Sequence, residues 1–274
     1  MQAVPLRPPL VAGSFYPAEP EALRRELDAY LAAGEGAELS FADALGCVVP
    51  HAGYRYSGHV AGAVYGRLPP RATHLILGPN HFGRGQPLAI MSRGSWLTPL
   101  GPAPLDESLA DELLRVCPGL EPDAAAHAEH SIEVHVPFVQ HRFGAKIVPI
   151  AVGVDDYDVL AALGHGIAAV IGLAAPFSVM IVASSDLNHY APDAVNRRQD
   201  ARAIERTLAL DPRGLYDVVH RERISMCGCG PVVAMLVAAT DLGARRATLV
   251  KYATSADAGG YTDAVVGYAG IIIN

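Results

Sequence analysis

Two histidines, His51 and His81, each stand just past the end of a short apolar run. Cys47-Val48-Val49-Pro50 leads into His51, and Leu75-Ile76-Leu77-Gly78-Pro79-Asn80 leads into His81. A third run, Val179 to Ala183, continues through Ser184-Ser185-Asp186-Leu187-Asn188 to His189. Small and turn-forming neighbours let a ligand approach such positions closely. In α/β proteins, strand ends of this kind collect along one crevice at the carboxyl edge of the sheet. Imidazole suits Zn, Cu, Fe and Ni, so His51 and His81 read as two ligands of one metal ion.

A third ligand must come from elsewhere. Cys227 lies shortly before Pro231, a residue suited to the first turn of a helix, and a helix N-terminus favours the thiolate that binds metals. Cys229 competes on the same grounds, and both also read as small residues of a Gly-rich turn. Glu133 and Asp186 are the carboxylate alternatives. A disulfide within Cys227-Gly228-Cys229 would be strained. Cys47, inside an apolar strand, and Cys117, at a helix end, read as ordinary packed thiols.

The groups suited to acid/base work form a second set. Ser184-Ser185-Asp186 puts polar side chains where an apolar strand has no use for them, and His189 follows on the same loop. Imidazole exchanges protons near neutral pH. The run from His127 to His135 holds three histidines and two glutamates within nine residues. In it His130 reads as a second acid/base group, with Glu129 or Glu133 holding its tautomer. His127 and His135 read as structural. The acid/base set is thus His189, His130, Asp186 and Glu133.

The elements that must carry these residues alternate. The spacing predicts a helix over Glu19 to Ala33, stopped by Gly34 to Gly36, then a strand over Ala44 to Pro50 and a helix beyond Gly58. Short strands are expected over Pro87 to Met91 and Gly94 to Leu97, and a helix over Asp106 to Val116. A helix from Ser131 onward would put Glu129 and Glu133 on one face. Strands over Lys146 to Val152, Ala247 to Ala253 and Val265 to Ile273 are expected, with helices over Tyr157 to Leu173, Ala194 to Leu208, Gly214 to Glu222 and from Pro231 to about Leu242. A loop over Ser255 to Tyr261 joins the last two strands. The segment Leu10 to Pro17, with two aromatics, reads as an irregular lead-in tucked against the domain surface, with a direct site role as the alternative. Without a repeat or a long linker, this alternation predicts a three-layer α/β/α sandwich around a largely parallel or mixed sheet, one domain over residues 1–274.

Composition excludes several classes. With 51% hydrophobic residues the chain can bury a large core. A net charge of −7 argues against a general nucleic-acid binder. Lys146 and Lys251 are the only lysines, so there is no polybasic membrane-binding run. Gly166 to Ala183 is eighteen residues without a charge, but Pro176 divides it into a helix-like and a strand-like half. The four cysteines are too few for a disulfide scaffold, and Met1 to Gly13 has no signal-peptide core. These features predict a cytoplasmic protein without nucleic-acid or membrane partners.

Pro-His-Ala-Gly-Tyr-Arg-Tyr-Ser-Gly (50–58), Gly-Pro-Asn-His (78–81), Glu-His-Ser-Ile-Glu-Val (129–134), Ser-Ser-Asp-Leu-Asn-His-Tyr (184–190) and Cys-Gly-x-x-Pro (227–231) resemble the Memo family. Gly-Ser-Phe-Tyr-Pro-Ala (13–18) and Val-Val-Gly-Tyr-Ala (265–269) extend the likeness, in the same order, from about residue 10 to the end. Prokaryotic members are known as AmmeMemoRadiSam system protein B, which implies association with an AMMECR-type protein and a radical-SAM protein. The family is similar in fold to class III extradiol ring-cleaving dioxygenases, which use Fe(II) held by two histidines and a glutamate. The resemblance implies a cysteine as third ligand, at Cys227 beside His51 and His81, with His189 and His130 in the acid/base places. One metal ion is expected, Fe(II) first, with Cu or Zn as alternatives.

Two functions follow from this reading. The first is a metal-dependent redox enzyme, a non-haem oxygenase or oxidase acting with O2 on a small aromatic substrate. The second is a non-catalytic peptide- or protein-binding module on a dioxygenase-like fold. The acid/base histidines favour the enzyme, since a binding pocket has no need of them.

Overall fold

A computed structural model describes residues 5–32, 34, 41–259 and 261–274. In chain order the elements are β1 (Leu6–Arg7), α1 (Pro20–Ala32), β2 (Gly46–Val49), α2 (Tyr54–Tyr65), β3 (Thr73–Pro79), β4 (Leu88–Ile90), β5 (Ser95–Thr98), β6 (Gly101–Pro104), α3 (Glu107–Val116) and β7 (Glu121–Pro122). They continue as α4 (Val136–Phe143), β8 (Lys146–Val152), α5 (Tyr157–Ile171), β9 (Val179–Ser184), β10 (His189–Ala191), α6 (Asp193–Leu208), α7 (Pro212–Arg221), α8 (Cys229–Asp241), β11 (Ala247–Thr254) and β12 (Val265–Ile273). The expected end of the first helix falls partly outside the described residues, at Ala33, Glu35 and Gly36, as does Gly260 of the last loop.

The core of the nine-stranded sheet is the run β2-β9-β3-β8, parallel throughout. Every residue of β2, β3 and β9 is buried, as expected of parallel strands covered on both faces. Antiparallel strands flank them, β12 and β11 on one side and β4 on the other, so the sheet is mixed. Alternate side chains of each strand feed two cores. Val48, Leu75, Leu77, Ile150 and Ile181 pack with α3, α5, α7 and α8, whereas Cys47, Val49, Ile76, Ile147 and Val182 pack with α1, α2 and α4. The architecture is therefore the expected α/β/α sandwich. A small separate sheet, β1-β5-β6, stands beside it.

The connections explain where a site should form. From β2 to β3 the chain crosses over the already occupied place of β9, and α2 lies on one face of the sheet. From β8 to β9 it returns in the opposite direction past β3, and α5 lies on the other face. Right-handed crossovers running in opposite directions must use opposite faces. The carboxyl ends of β2, β9 and β3 are left open between them, a topological switch point.

Local chemistry accounts for the helix starts. Glu19 accepts hydrogen bonds from the backbone N–H groups of Glu21 and Ala22, Asp106 caps α3 at Leu109, and Asp211 caps α7 at Gly214. The uncharged stretch 166–183 divides as expected, α5 ending at Ile171 and β9 starting at Val179. Among the described residues no helix is long and apolar enough to cross a membrane.

One core residue is costly. His74 is fully buried on β3, stacked on Phe143 at 4.8 Å between ring centroids, and neither ring nitrogen has a hydrogen-bond partner. Burial, helped by the charge of Arg71, pushes its pKa down to about 3. The unfolded chain takes up that proton near pH 6.5 and the folded chain does not, so stability present above pH 6.5 is lost as the pH falls toward 3. His74→Phe should lose about 2 kcal/mol less than the parent between pH 7 and pH 5. Urea unfolding at the two pH values measures this, and parallel losses in both proteins would refute it.

Candidate metal centre

His51, His81 and His130 meet at the open carboxyl edge. Their ring centroids are 5.2 Å (His51–His81), 5.6 Å (His51–His130) and 4.9 Å (His81–His130) apart, and the last pair is stacked. One nitrogen from each lies within 4.8 Å of the other two, so the group could hold a metal ion. His51 arrives on the turn after β2, and its N–H donates to Asp186 Oδ1 at 2.8 Å. His81 arrives on the turn after β3, and its N–H donates to Glu129 Oε2 at 2.7 Å. His130 comes from the segment before α4, which lies against β3 because Gly78 has no side chain. A Cβ there would sit 2.7 Å from Ser131 Oγ.

The hydrogen bonds fix which nitrogen of each ring carries the proton. Ser184 Oγ donates its one hydrogen to the Ser131 carbonyl at 2.6 Å, so towards His51 Nδ1 (2.7 Å) and His135 Nε2 (2.8 Å) it can only accept. His51 is therefore protonated at Nδ1, with its lone pair on Nε2. Glu129 does the same for the other two. Burial works against its ionisation, but hydrogen bonds from His130 and His81 outweigh burial and hold its carboxyl well below the usual range. As an acceptor-only carboxylate, its Oε1 takes Nδ1–H from His81 (3.0 Å) and from His130 (2.9 Å). All three rings are left with Nε2 as ligand atom. Burial, then the neighbouring imidazoles, hold the pKa of His51 well below its ordinary value, which disfavours a proton on that nitrogen.

Cys227 adds a soft donor. Its Sγ lies 3.2 Å from His51 Nε2. The close approach depends on Gly228, where a Cβ would come 2.2 Å from the Ser184 carbonyl oxygen. Burial and the nearby Asp186 carboxylate push the thiol pKa up, with backbone hydrogen bonds only partly offsetting them. Cys229, the competitor, starts α8 and faces a neighbouring cavity with His220 and Asp155, whereas Cys227 stands between that cavity and the histidines. Cys47 and Cys117 are buried in the cores.

The site opens into a cavity of about 920 Å³. Asp186 and His189 line it, as do Phe15, Tyr56, Tyr190, Tyr261 and Tyr268. Burial pushes the Asp186 carboxyl up, against the lowering effect of the His51 N–H. His189 Nδ1 donates to the Ser225 carbonyl at 2.9 Å, which leaves its Nε2 as a proton acceptor. Tyr190, beside it, holds a left-handed backbone (φ 61°), a strained state for an aromatic residue.

A family model for Memo-like protein matches residues 7–272. The chain is 44% identical over 271 residues to a MEMO1 family protein of Methanosarcina acetivorans, covering 98% of this chain and 99% of that one. The chain belongs to the Memo family. MEMO1 family proteins of Methanosarcina mazei (45% over 271 residues, 98% and 99% covered) and Pyrobaculum arsenaticum (43% over 280 residues, 98% and 99% covered) are similar over the same length.

Within this Memo-family chain, His51, His81, His130, Asp186, His189 and Cys227 all face one cavity. Glu133 does not. The chain is not helical from Ser131: a 3₁₀ turn over Glu133–His135 precedes α4, so Glu129 and Glu133 diverge. Glu133 binds Arg7, the Tyr16 hydroxyl and the N–H groups of Leu10 and Val11, and Glu129 alone holds the His130 ring. The lead-in segment is also more than surface packing. Ser14 and Phe15 line the cavity, with Phe15 4.9 Å from the His130 ring centroid. Ser184 was legible as a polar side chain ending an apolar strand, but Phe15 and Ser225 carried no local signal.

Glu129→Gln removes the acceptor that both Nδ1–H groups share. The substitution should weaken Co(II) or Zn(II) binding by about 10–100-fold while the far-UV circular dichroism stays unchanged. Unaltered affinity in a competition titration would mean that Glu129 does not orient the ligands.

Proposed function

We propose that this protein is a metal-dependent oxidoreductase of the non-haem type, acting on a small aromatic or phenolic substrate with O2. One observation carries the reading. Imidazoles already set as Nε2 donors, with a thiol against one of them, share a cavity with His189, whose Nδ1–H is taken by the Ser225 carbonyl. The donor set fits a first-row transition metal: imidazoles suit Fe, Cu and Zn, and a thiolate selects Cu(I), Zn or iron sites. His51, His81 and Cys227 would hold the ion, Fe(II) first among the candidates. A bound iron or copper would supply the one-electron and O2 chemistry that side chains lack.

The chain's own residues would do the rest. A cavity of about 920 Å³ walled by Phe15, Tyr56 and Tyr268 has room for a ring and aromatic faces to pack on it. His189 Nε2 accepts a proton from a substrate hydroxyl, and the Ser225 carbonyl steadies the imidazolium through Nδ1–H. His130, held by Glu129, hydrogen-bonds the substrate from the facing wall. The mutual proximity of the three rings favours a second ligand set, His51, His81 and His130, in which the thiol stands aside. Association with an AMMECR-type and a radical-SAM protein remains part of the proposal on family grounds alone.

Protein purified without oxygen should carry one metal ion per chain, and His51→Ala or His81→Ala should lose it with the fold intact. Full occupancy in both variants would refute the centre. With Fe(III) or Cu(II), a thiolate charge-transfer band should vanish in Cys227→Ser and persist in Cys229→Ser. A band absent from the parent, with metal lost in His130→Gln, would instead establish the three-histidine set. His189→Gln should keep its metal and lose about 10²–10⁴ in turnover rate. Loss of metal in that variant would make His189 a ligand, and unchanged turnover would leave it no acid/base role.

A further inference from the structure

Arg7 closes the two-residue strand β1 and is an unusual residue to find buried there. It is 7% exposed, and its guanidinium lies 4.0 Å from the centre of the Trp96 ring. Burying a guanidinium is expensive unless every donor direction is used. Here they are used in a particular pattern. Nε donates to the His127 carbonyl at 2.9 Å, one terminal nitrogen donates to the Glu129 carbonyl at 2.7 Å, and the other to Glu133 Oε2 at 2.5 Å and the Pro8 carbonyl at 3.1 Å.

Those two backbone carbonyls flank the residue on which the metal centre depends. Glu129 must present one oxygen to His81 and His130 at once, and its side chain is otherwise braced, among the described residues, by the N–H groups of His81, His130 and Ser131. The segment 128–132 is neither helix nor strand, so no ladder of backbone bonds fixes it. Arg7 supplies that restraint from outside. Glu133 in turn holds Arg7, and it gathers the lead-in through Leu10, Val11 and Tyr16, which brings Phe15 to the His130 ring.

We propose that Arg7 is a positioning residue for the metal centre: by clamping the carbonyls of His127 and Glu129, it sets the Glu129 carboxylate that orients His81 and His130. The inference rests on the metal-centre reading for its consequence, though not for its geometry. Glu133, four residues from Glu129, is the anchor of the clamp and not an acid/base group.

Arg7→Lys is the sharpest variant. An ammonium can still pair with Glu133, but it cannot span two carbonyls and a carboxylate as the planar fork does. Two measurements are made on the folded full-length protein. In the metal-free state, NMR reads the ring Nδ1–H protons of His81 and His130, which donation to a buried carboxylate shifts downfield and shields from exchange. Zn(II) affinity is read separately by competition titration. Arg7→Lys should lose or shift both ring-proton signals and weaken Zn(II) binding about tenfold, the lower end of the effect of disturbing ligand-orienting partners. Tyr16→Phe, which removes one Glu133 hydrogen bond and leaves the Arg7 fork whole, should alter neither. If Arg7→Lys does not fold, Arg7→Met with Glu133→Gln, which leaves no unpaired buried charge, takes its place with the same expectations. A folded variant with parental ring signals and affinity overturns the proposal, and so does an equal effect in Tyr16→Phe. A parent protein that binds no Zn(II) would sink the metal reading alone, with the ring-proton comparison still judging Arg7.

Discussion

The shared acceptor at Glu129 is the interaction on which the site depends. One oxygen of one carboxylate stands against Nδ1 of both His81 and His130 and also accepts the backbone N–H groups of His130 and Ser131, while the other receives the His81 backbone N–H. Two stacked imidazoles 4.9 Å apart would otherwise be free to rotate or to exchange tautomers. The carboxylate prevents both, and it does so in a buried place, where an acceptor-only group is worth most and is most costly to leave unpaired. Ser184 performs the same service for His51 by a different route, having spent its hydrogen on the Ser131 carbonyl. Three rings from three segments thereby reach one protonation pattern through the protein's own hydrogen bonds.

The sheet supplies the meeting place. β2, β9 and β3 are neighbours in the parallel run, and their carboxyl ends carry His51, Asp186 and His81. The reversal of direction between the α2 and α5 crossovers opens the crevice there. Two missing side chains then complete it: Gly78 admits the 130–132 segment, and Gly228 admits the loop bearing Cys227. Any larger residue at these positions would push a donor out of reach while leaving the sheet itself whole.

Much of this was legible in the sequence, for physical reasons. An apolar run that ends in histidine can be read locally, because the run must be a strand and the histidine must follow its edge. The sandwich, the strand boundaries at Lys146 to Val152 and Val265 to Ile273, and the Memo resemblance were legible in the same way. The division of labour between Glu129 and Glu133 was not. Four-residue spacing implies a shared face only in a helix, and here the chain turns between them. Nor could the sequence place Phe15, since the path of the lead-in is set by a carboxylate more than a hundred residues away. Contacts of that range leave no periodicity to read.

The electrostatics of the site are lopsided in a way that bears on what it can hold. On one side stands an ionised carboxylate, Glu129, kept so by two imidazole N–H groups. On the other, burial pushes up the pKa of both the Asp186 carboxyl and the Cys227 thiol. Burial likewise holds the pKa of His51 well below its ordinary value. A divalent cation reverses this logic: a coordinating thiol gives up its proton outright, so binding and proton release become one event. The raised thiol pKa is then no argument against Cys227 as a ligand. It means that any metal bound through Cys227 would have to displace that proton, so binding by way of the sulfur would strengthen as the pH rises.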